Sequence, residues 1–193
     1  MPADLTQPGS TFTYTEARSA GWSKRELYTR RDAGDIELIS RGLYRWAQAG
    51  PADLNLIEIA RRAPSATICL TSALARHDLT DENPSRIDIA LPRTSRPPRT
   101  RAPVTWHRFA TDTFDLGRTL IEAGDDERIG LYSAERSIVD AFRLSYREGE
   151  DLANEALRRW LRRRGSSPAA LLELTHLFPR MGGPIRRAIQ ILL

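Results

Sequence analysis

Residues 24–33 carry side chains that could read the bases of DNA. If they form a helix that turns by about 100° per residue, Leu27 faces inward, Arg25 and Thr29 lie on the opposite side, and Tyr28 and Asp32 flank them. Arginine and threonine can form hydrogen bonds with base edges in the major groove. We therefore expect Arg25, Tyr28 and Thr29 to contact bases or lie beside them. The carboxylate of Asp32 would repel phosphates.

The same region holds residues suited to the phosphates of DNA. Ser23 and Lys24 lie at the predicted helix start, where backbone N–H groups favour an anion. Arg41 and Arg45 fall in a predicted hairpin, and arginine pairs well with phosphate. Arg31 stands where the helical pattern calls for a core residue, so we expect its long side chain to extend outward. Taken singly, such residues more often form a charged face exposed to water. The predicted helices and hairpin around them are what favours DNA binding.

Two further groups of arginines predict a second basic site. One group lies in a proline-rich loop between two predicted strands, and the other lies on the polar side of a predicted helix. The members are Arg93, Arg96, Arg99, Arg101, Arg158, Arg159, Arg162 and Arg163. The proline-rich loop is stiff, and it suits either an arm that follows the phosphates of a nucleic acid or a segment exposed only to water. The helical face suits nucleic acid, an acidic partner or water.

The patterns of common catalytic and metal sites are missing from the sequence. It contains no HExxH metal motif and no GxSxG nucleophile motif. A Walker A loop needs a lysine in a glycine-rich turn, and the only lysine, Lys24, does not lie in one. Glu135 and Asp140, near Arg136, suit helix caps and ion pairs better than acid–base catalysis. The three histidines are far apart in sequence: His77, His107 and His176. We therefore expect a protein without enzymatic activity, catalytic residues, metal or cofactor.

The start of the helix that carries the candidate base contacts is marked by its capping residues. Ser23 is suited to the N-cap, and Glu26 three residues later can complete a capping box. Trp22 and Leu27 occupy the two positions of a hydrophobic staple. These signals predict a helix from Lys24 to about Ala33.

The first 46 residues combine short helices, tight turns and a hairpin. A strand is predicted at 11–14 and a short helix at 16–20, and Gly21 and Gly34 follow the two helices. Residues 36–39 and 43–46 form a predicted β-hairpin with its turn at Arg41 and Gly42. This order is typical of a winged helix-turn-helix, whose second helix enters the major groove of DNA. A small α+β unit with ordinary caps is the alternative.

The remainder of the sequence predicts a mixed domain. Gly50 and Pro51 mark a short linker, after which Asp53 can cap a helix. Helices are expected at 54–62, near 72–77, after Ser133, and near 151–164, 168–178 and 184–192, with a buried segment at 67–70 and strands at 87–91 and 104–109. The predicted fold class is α+β. It comprises an N-terminal winged helix-turn-helix domain over residues 1–50 and a larger mixed α/β domain over residues 51–193, with a helical C-terminal half.

The composition is that of a globular protein that folds without disulfides. The chain has 193 residues, of which 40% are hydrophobic, and its single cysteine, Cys69, lies in an apolar run and is expected to be buried. The net charge is +4, and 28 of the 29 basic residues are arginines, which suits nucleic acid as well as a GC-rich genome. No apolar stretch approaches the roughly 20 residues that span a bilayer. The first ten residues lack the pattern of a signal peptide, so we expect a cytoplasmic protein without a membrane partner.

Five sequence strings together resemble the AbiEi family of antitoxins from type IV toxin–antitoxin systems. They are SKREL at 23–27, RGLY at 41–44, SALARHDLT at 72–80, IDIALPR at 87–93 and YSAERSIVDAFR at 132–143. The resemblance implies a winged-helix DNA-binding domain over residues 1–50 and an antitoxin domain over residues 51–193. It implies a repressor that binds its own promoter, neutralises a toxin of the nucleotidyltransferase class and takes part in phage defence. The residues that would read DNA in such a protein are Lys24, Arg25, Tyr28 and Thr29.

Two other functions remain open from the sequence. One is a stand-alone winged-helix transcriptional regulator whose C-terminal domain binds a ligand or forms a dimer. The other is an enzyme acting on nucleic acid, for which the sequence offers no catalytic residues. The oligomeric state is not predicted.

Overall fold

The computed structural model describes residues 7–145 and 149–193. The chain forms two compact units. The first contains the chain up to Pro64 together with Pro98–Ala102 and Glu122–Ile129, and the second contains Ser65–Pro97, Pro103–Ile121 and Gly130–Leu193. The sequence-based division at residue 50 remains a prediction.

The first unit is built from three strands and three helices. In chain order they are β1 (Thr11–Thr13), α1 (Tyr14–Ser19), α2 (Lys24–Asp32), β2 (Ile36–Ser40), β3 (Leu43–Trp46) and α3 (Leu54–Arg62). The antiparallel sheet has the order β1-β3-β2, so that Tyr44 lies opposite Phe12 on one side and Leu38 on the other. The predicted strand, the two short helices and the hairpin are confirmed.

Local capping explains where α1 and α2 begin and end. The Oγ1 atom of Thr13 accepts a hydrogen bond from the N–H of Glu16, whose carboxylate accepts one from the N–H of Thr13, and this capping box starts α1. The Oγ atom of Ser23 accepts a hydrogen bond of 3.0 Å from the N–H of Glu26 and starts α2, as predicted. The other half of the predicted capping box differs, because the Glu26 carboxylate accepts hydrogen bonds from the guanidinium of Arg30 instead. Gly21 has a φ of 88°, which allows the tight turn between the helices.

An aromatic core holds the elements of the first unit together. Phe12, Trp22, Leu27 and Tyr44 are buried in one cluster, and the rings of Phe12 and Trp22 meet edge to face with their centroids 5.5 Å apart. Trp22 and Leu27 therefore contribute to the same core, as the hydrophobic staple predicts. Because Leu27 faces this core, the opposite side of α2 is left exposed.

The second unit combines a mixed sheet with helices. Its elements begin with β4 (Thr67–Ile68), α4 (Leu70–Arg76), β5 (Ile87–Pro92) and β6 (Val104–Phe109). They are followed by β7 (Arg118–Gly124) and β8 (Glu127–Tyr132), of which residues 122–124 and 127–129 belong to the first unit. The five strands have the order β6-β5-β4-β8-β7. Strand β5 is parallel to β6 and antiparallel to β4, which is parallel to β8. Strands β5 and β6 were predicted from the sequence, whereas β7 and β8 were not.

The C-terminal half is helical, as predicted. It contains α5 (Ala134–Arg143), α6 (Glu150–Leu161), α7 (Pro168–Thr175) and α8 (Gly182–Leu192). Ile138, Leu157, Leu171 and Ile185, one from each helix, are fully buried in a common core. Ser133 caps α5, and Cys69 is buried, both as expected. In the part of the chain that the structure describes, no helix is both long enough and apolar enough to cross a bilayer.

Candidate nucleic-acid interface

The exposed side of α2 carries the predicted base-contacting residues. Arg25, Tyr28 and Thr29 are exposed, whereas Leu27 is 1% exposed on the opposite side. The nine residues of α2 span about 13 Å at about 1.5 Å per residue. An α-helix with its side chains is about 10–12 Å in diameter, so α2 can lie in the major groove, which is about 12 Å wide.

Tyr28 is flanked by two cationic side chains of the same helix. The Nζ atom of Lys24 lies 5.7 Å from the centroid of the tyrosine ring, and the Cζ atom of Arg31 lies 4.8 Å from it. Arg31 is exposed and extends outward as expected, and it donates a hydrogen bond of 2.7 Å to the carboxylate of Asp32. This hydrogen bond raises the pKa of Arg31, so the guanidinium stays charged while Asp32 offsets part of its charge.

Two further predicted phosphate ligands lie at exposed positions. Ser23 caps α2. Arg41 lies at the exposed turn of the β2–β3 hairpin. Both positions are open to solvent, so their side chains can be approached by a phosphate group.

Arg45 lies in the interior of the first unit, which differs from the expectation that it binds phosphate. Its side chain is 7% exposed, and its Nη2 donates a hydrogen bond of 3.1 Å to a carboxylate oxygen of Asp125. The Nε atom pairs with the other oxygen of Asp125, and further hydrogen bonds go to Glu37 and to the carbonyl of Gly50. Arg45 is directed inward because β3 buries it beside this carboxylate. We therefore leave Arg45 out of the proposed interface.

A groove of about 580 Å³ in the first unit joins the end of α2 to three other elements. We call it the α2–hairpin groove. Its walls come from α2, the β2–β3 hairpin, α3 and the segment 99–101. The lining residues that carry charge are Arg31, Arg41, Glu58, Arg62, Arg99 and Arg101. The five arginines outnumber the single glutamate, so the groove favours an anionic partner.

Glu58 anchors the arginine-bearing segment to α3. Its side chain is 2% exposed, and its carboxylate accepts hydrogen bonds of 3.0 Å from the N–H of Arg101 and 2.8 Å from the N–H of Ala102. Burial by itself would raise the pKa of Glu58, but these backbone donors, with Ser40 and Arg62, bring the pKa below its usual value. Glu58 is therefore ionised and holds Arg99 and Arg101 at the groove.

Arg62 connects α3 to the hairpin. Its Nε donates a hydrogen bond of 3.0 Å to Glu58, and its Nη2 donates to the Oγ of Ser40 at 2.8 Å and to the carbonyl of Arg41 at 2.9 Å. Neither Glu58 nor Arg62 was predicted from the sequence to belong to the site. Their spacing of four residues on a predicted helix is a signal for an ion pair, but it does not indicate which surface the pair supports.

The residues of the predicted second basic site do not lie in one place. Arg99 and Arg101 line the α2–hairpin groove, whereas Arg93 and Arg96 belong to the second unit. On α6, Arg158 pairs with Glu155 at 2.6 Å, and Arg159 pairs with Glu155 at 2.8 Å and with Asp81.

The last two of these arginines lie at and just beyond the end of α6. Arg162 is exposed at the helix end, and Arg163 donates a hydrogen bond to the carbonyl of His77. The carboxylates of Glu155 and Asp81 thus offset part of the positive charge on the predicted basic face of α6.

Two of the three histidines considered from the sequence, and the pair Arg136 and Asp140, have structural partners in the second unit. The Nε2 atom of His77 lies 2.7 Å from the carbonyl oxygen of Tyr132, and that of His107 lies 2.9 Å from a carboxylate oxygen of Asp88. The predicted ion pair between Arg136 and Asp140 is present at 2.9 Å.

The N-terminal segment matches a known family of transcriptional regulators. Residues 5–47 match the family model described as "Transcriptional regulator, AbiEi antitoxin". This match includes β1, α1, α2 and the β2–β3 hairpin, and for this segment it confirms the resemblance noted in the sequence.

The fold of the chain is similar to that of a solved mycobacterial structure. The crystal structure of the RV2827C protein from Mycobacterium tuberculosis matches with a TM-score of 0.51 and 18% sequence identity. The match covers 94% of this chain and 75% of that chain. At this identity the likeness concerns the fold alone. No curated protein matches the chain.

Proposed function

We propose that this protein is a DNA-binding transcriptional regulator and the antitoxin of a type IV toxin–antitoxin system. The observation that carries the DNA-binding part is the exposed face of α2, which runs into a groove lined by five arginines. The family match over residues 5–47 supports a regulator of this kind. In this proposal α1 and α2 are the two helices of a winged helix-turn-helix, and the β2–β3 hairpin is its wing.

Each group of residues has a distinct role in this proposal. Arg25 and Thr29 read base edges in the major groove, with Tyr28 beside them. Ser23 and Lys24 bind phosphate at the start of α2, since the positive end of the helix dipole lies there. The groove arginines Arg31, Arg41, Arg99 and Arg101 bind the neighbouring phosphates.

The test of DNA binding compares the protein's own upstream DNA with a scrambled duplex over a range of salt concentrations. Selective, salt-dependent binding is expected, because phosphate contacts release counterions whereas base contacts distinguish sequences. The double variant Arg25→Ala/Thr29→Ala should lose about 1–3 kcal/mol of discrimination for each base contact removed. Arg41→Ala should weaken binding to both duplexes and reduce the salt slope by about one.

Arg128→Ala is the matched control for this test. Arg128 is exposed, belongs to the first unit and lies outside the groove. Its replacement removes one positive charge, as Arg41→Ala and Arg25→Ala/Thr29→Ala do. It should leave selectivity unchanged. Equal and weak binding of the wild-type protein to both duplexes would contradict the DNA-binding proposal.

The antitoxin part is tested by co-expression with the product of a neighbouring nucleotidyltransferase-like gene. The full chain should restore growth, and the Arg25→Ala/Thr29→Ala variant should still do so if neutralisation does not depend on reading DNA. If no such gene lies nearby and no toxicity is relieved, the antitoxin proposal fails. DNA binding without neutralisation would instead favour a stand-alone winged-helix regulator.

A further inference from the structure

A pocket in the second unit lies where two parallel strands end. Strands β5 and β6 are paired in register from Ile87 opposite Val104 to Pro92 opposite Phe109, so their carboxyl ends lie side by side. Arg93 follows β5 directly, and together with the end of β6 it lines a pocket of about 530 Å³. We call it the β5–β6 pocket. Ligands often bind beyond the carboxyl ends of parallel strands, and this volume is within the range of small-molecule sites.

The β5–β6 pocket is lined by cationic side chains. Arg93, Arg108 and Arg143 contribute three guanidinium groups, and none of the described lining residues is acidic. Arg93 and Arg108 are exposed. Two hydrogen bonds hold the backbone of Arg93 in place. Its N–H donates one of 2.7 Å to the carbonyl of Phe109, and its carbonyl accepts one from the guanidinium of Arg108. The positive charges are therefore gathered on a constrained stretch of backbone.

Arg143 reaches the pocket from the last turn of α5. Its Nη2 lies 2.9 Å from Asp140, and its Cζ lies 4.7 Å from the centroid of the Phe109 ring. Asp140 is fully buried and also pairs with Arg136, so one carboxylate is shared by two arginines. The buried Nε of Arg143 has no hydrogen-bond partner in the described part of the chain. A buried cationic donor without an acceptor is costly.

The carboxyl end of α5 carries a partial negative charge that disfavours an anion, and the positive charge of Arg143 offsets it. The carboxyl end of a helix carries a partial negative charge equivalent to about half an elementary charge. Arg143 in the last turn opposes this charge, and Arg93 and Arg108 leave a positive excess around the pocket. Trp106 is partly exposed and adds an aromatic surface beside these charges.

We propose that the β5–β6 pocket binds a small phosphate-bearing molecule, whose phosphate group is held by Arg93, Arg108 and Arg143. Planar guanidinium groups match the oxygens of a phosphate in paired, charge-assisted hydrogen bonds. Either free inorganic phosphate or a phosphate ester such as a nucleotide provides this chemistry. An ester would in addition place its organic part against Trp106. The proposal is independent of the DNA-binding role of the first unit.

Calorimetric titration of the full chain with inorganic phosphate, adenosine monophosphate and adenosine tests this site. Saturable binding of a phosphate-bearing probe but not of adenosine is expected, and tighter binding of the nucleotide than of inorganic phosphate would identify an ester as the ligand. Arg93→Gln and Arg143→Gln should each weaken binding at least tenfold. Arg96→Gln is the matched control, because Arg96 is an exposed arginine of the same loop that does not line the pocket.

Two further variants keep the test decisive. If Arg143→Gln does not fold, because Asp140 loses a partner, the double variant Arg93→Gln/Arg108→Gln replaces it, since both side chains are exposed. The DNA variant Arg25→Ala/Thr29→Ala should bind the phosphate probe as the wild type does. Absence of saturable binding, or equal affinity in the wild type and the Arg93→Gln/Arg108→Gln variant, overturns the proposal.

Discussion

Replacing Glu58 with glutamine removes the charge that anchors the segment 99–102 in the first unit. The carboxylate accepts hydrogen bonds from two backbone N–H groups and from the Nε of Arg62, and the side chain is 2% exposed. Glutamine has nearly the same size but only one acceptor oxygen, and its NH₂ group faces donors. At least one buried donor therefore loses its partner.

The expected cost is large because the lost hydrogen bonds are charge-assisted. A hydrogen bond to a charged group contributes about 1.5–3 kcal/mol, and breaking a buried ion pair costs about 3–5 kcal/mol. Since glutamine retains some of these contacts, we expect Glu58→Gln to lower the free energy of unfolding by about 3 kcal/mol. DNA affinity should also fall at protein concentrations where the variant is folded, because Arg99 and Arg101 are no longer held at the α2–hairpin groove.

Urea denaturation followed by tryptophan fluorescence measures the stability effect, and Glu122→Gln is the matched control. Glu122 is an exposed glutamate of the same unit, so its replacement should change the free energy of unfolding by less than about 0.5 kcal/mol. Equal stability of Glu58→Gln and Glu122→Gln at pH 7 would refute the anchoring role. Unchanged DNA affinity of folded Glu58→Gln would refute its link to the interface.

The pH dependence follows from the lowered pKa of Glu58. In the folded protein the pKa lies below its usual value of 4.5 because the backbone donors, with Ser40 and Arg62, outweigh burial. A carboxyl group of this kind contributes its full stability above the usual pKa and loses it as the pH falls through the folded pKa. The stability difference between the wild type and Glu58→Gln should therefore be complete at pH 7 and shrink below about pH 4.5.

Two further predictions concern buried ion pairs. Asp125→Asn should lower the free energy of unfolding by about 3–5 kcal/mol because it leaves Arg45 buried without its main carboxylate, whereas Asp126→Asn, at the exposed neighbouring position, should have little effect in the same denaturation experiment. In the second unit, Arg136→Met should cost a similar amount, about 3–5 kcal/mol, because Asp140 loses its fully buried partner. Thermal unfolding checks it against Arg162→Met at an exposed position, and equal melting temperatures would contradict the argument.

Most elements of the fold could be predicted where one short stretch of chain contains both the signal and its partner. Ser23 and Glu26 are three residues apart, and the cap they form starts α2 where the sequence places it. The β7–β8 hairpin was missed although it has a local signal. Its turn contains Asp125 and Asp126 with φ of 54° and 63°, as in the turns that favour aspartate and asparagine.

The candidate interface was predictable in part. The helical period alone separates buried Leu27 from exposed Arg25 and Thr29, because side chains three or four residues apart share a face. The hairpin residue Arg45 has the same type and predicted location as Arg41, yet Arg45 is buried and Arg41 is exposed. The acceptor that makes this burial possible, Asp125, is 80 residues further along the chain.

The sequence by itself thus determined the start of α2, the exposed face of α2 and the resemblance of the N-terminal segment to a family of regulators, whereas it placed the start of α1 two residues too late. Tertiary structure decided which arginines share a surface. Glu58 brings Arg99 and Arg101 to the groove, and the parallel pairing of β5 and β6 gathers the arginines of the β5–β6 pocket. The physical reason is the separation in sequence between the residues that interact. Caps and helical faces depend on neighbours within one or two turns, whereas the burial of a charge depends on a partner that only the folded chain brings near.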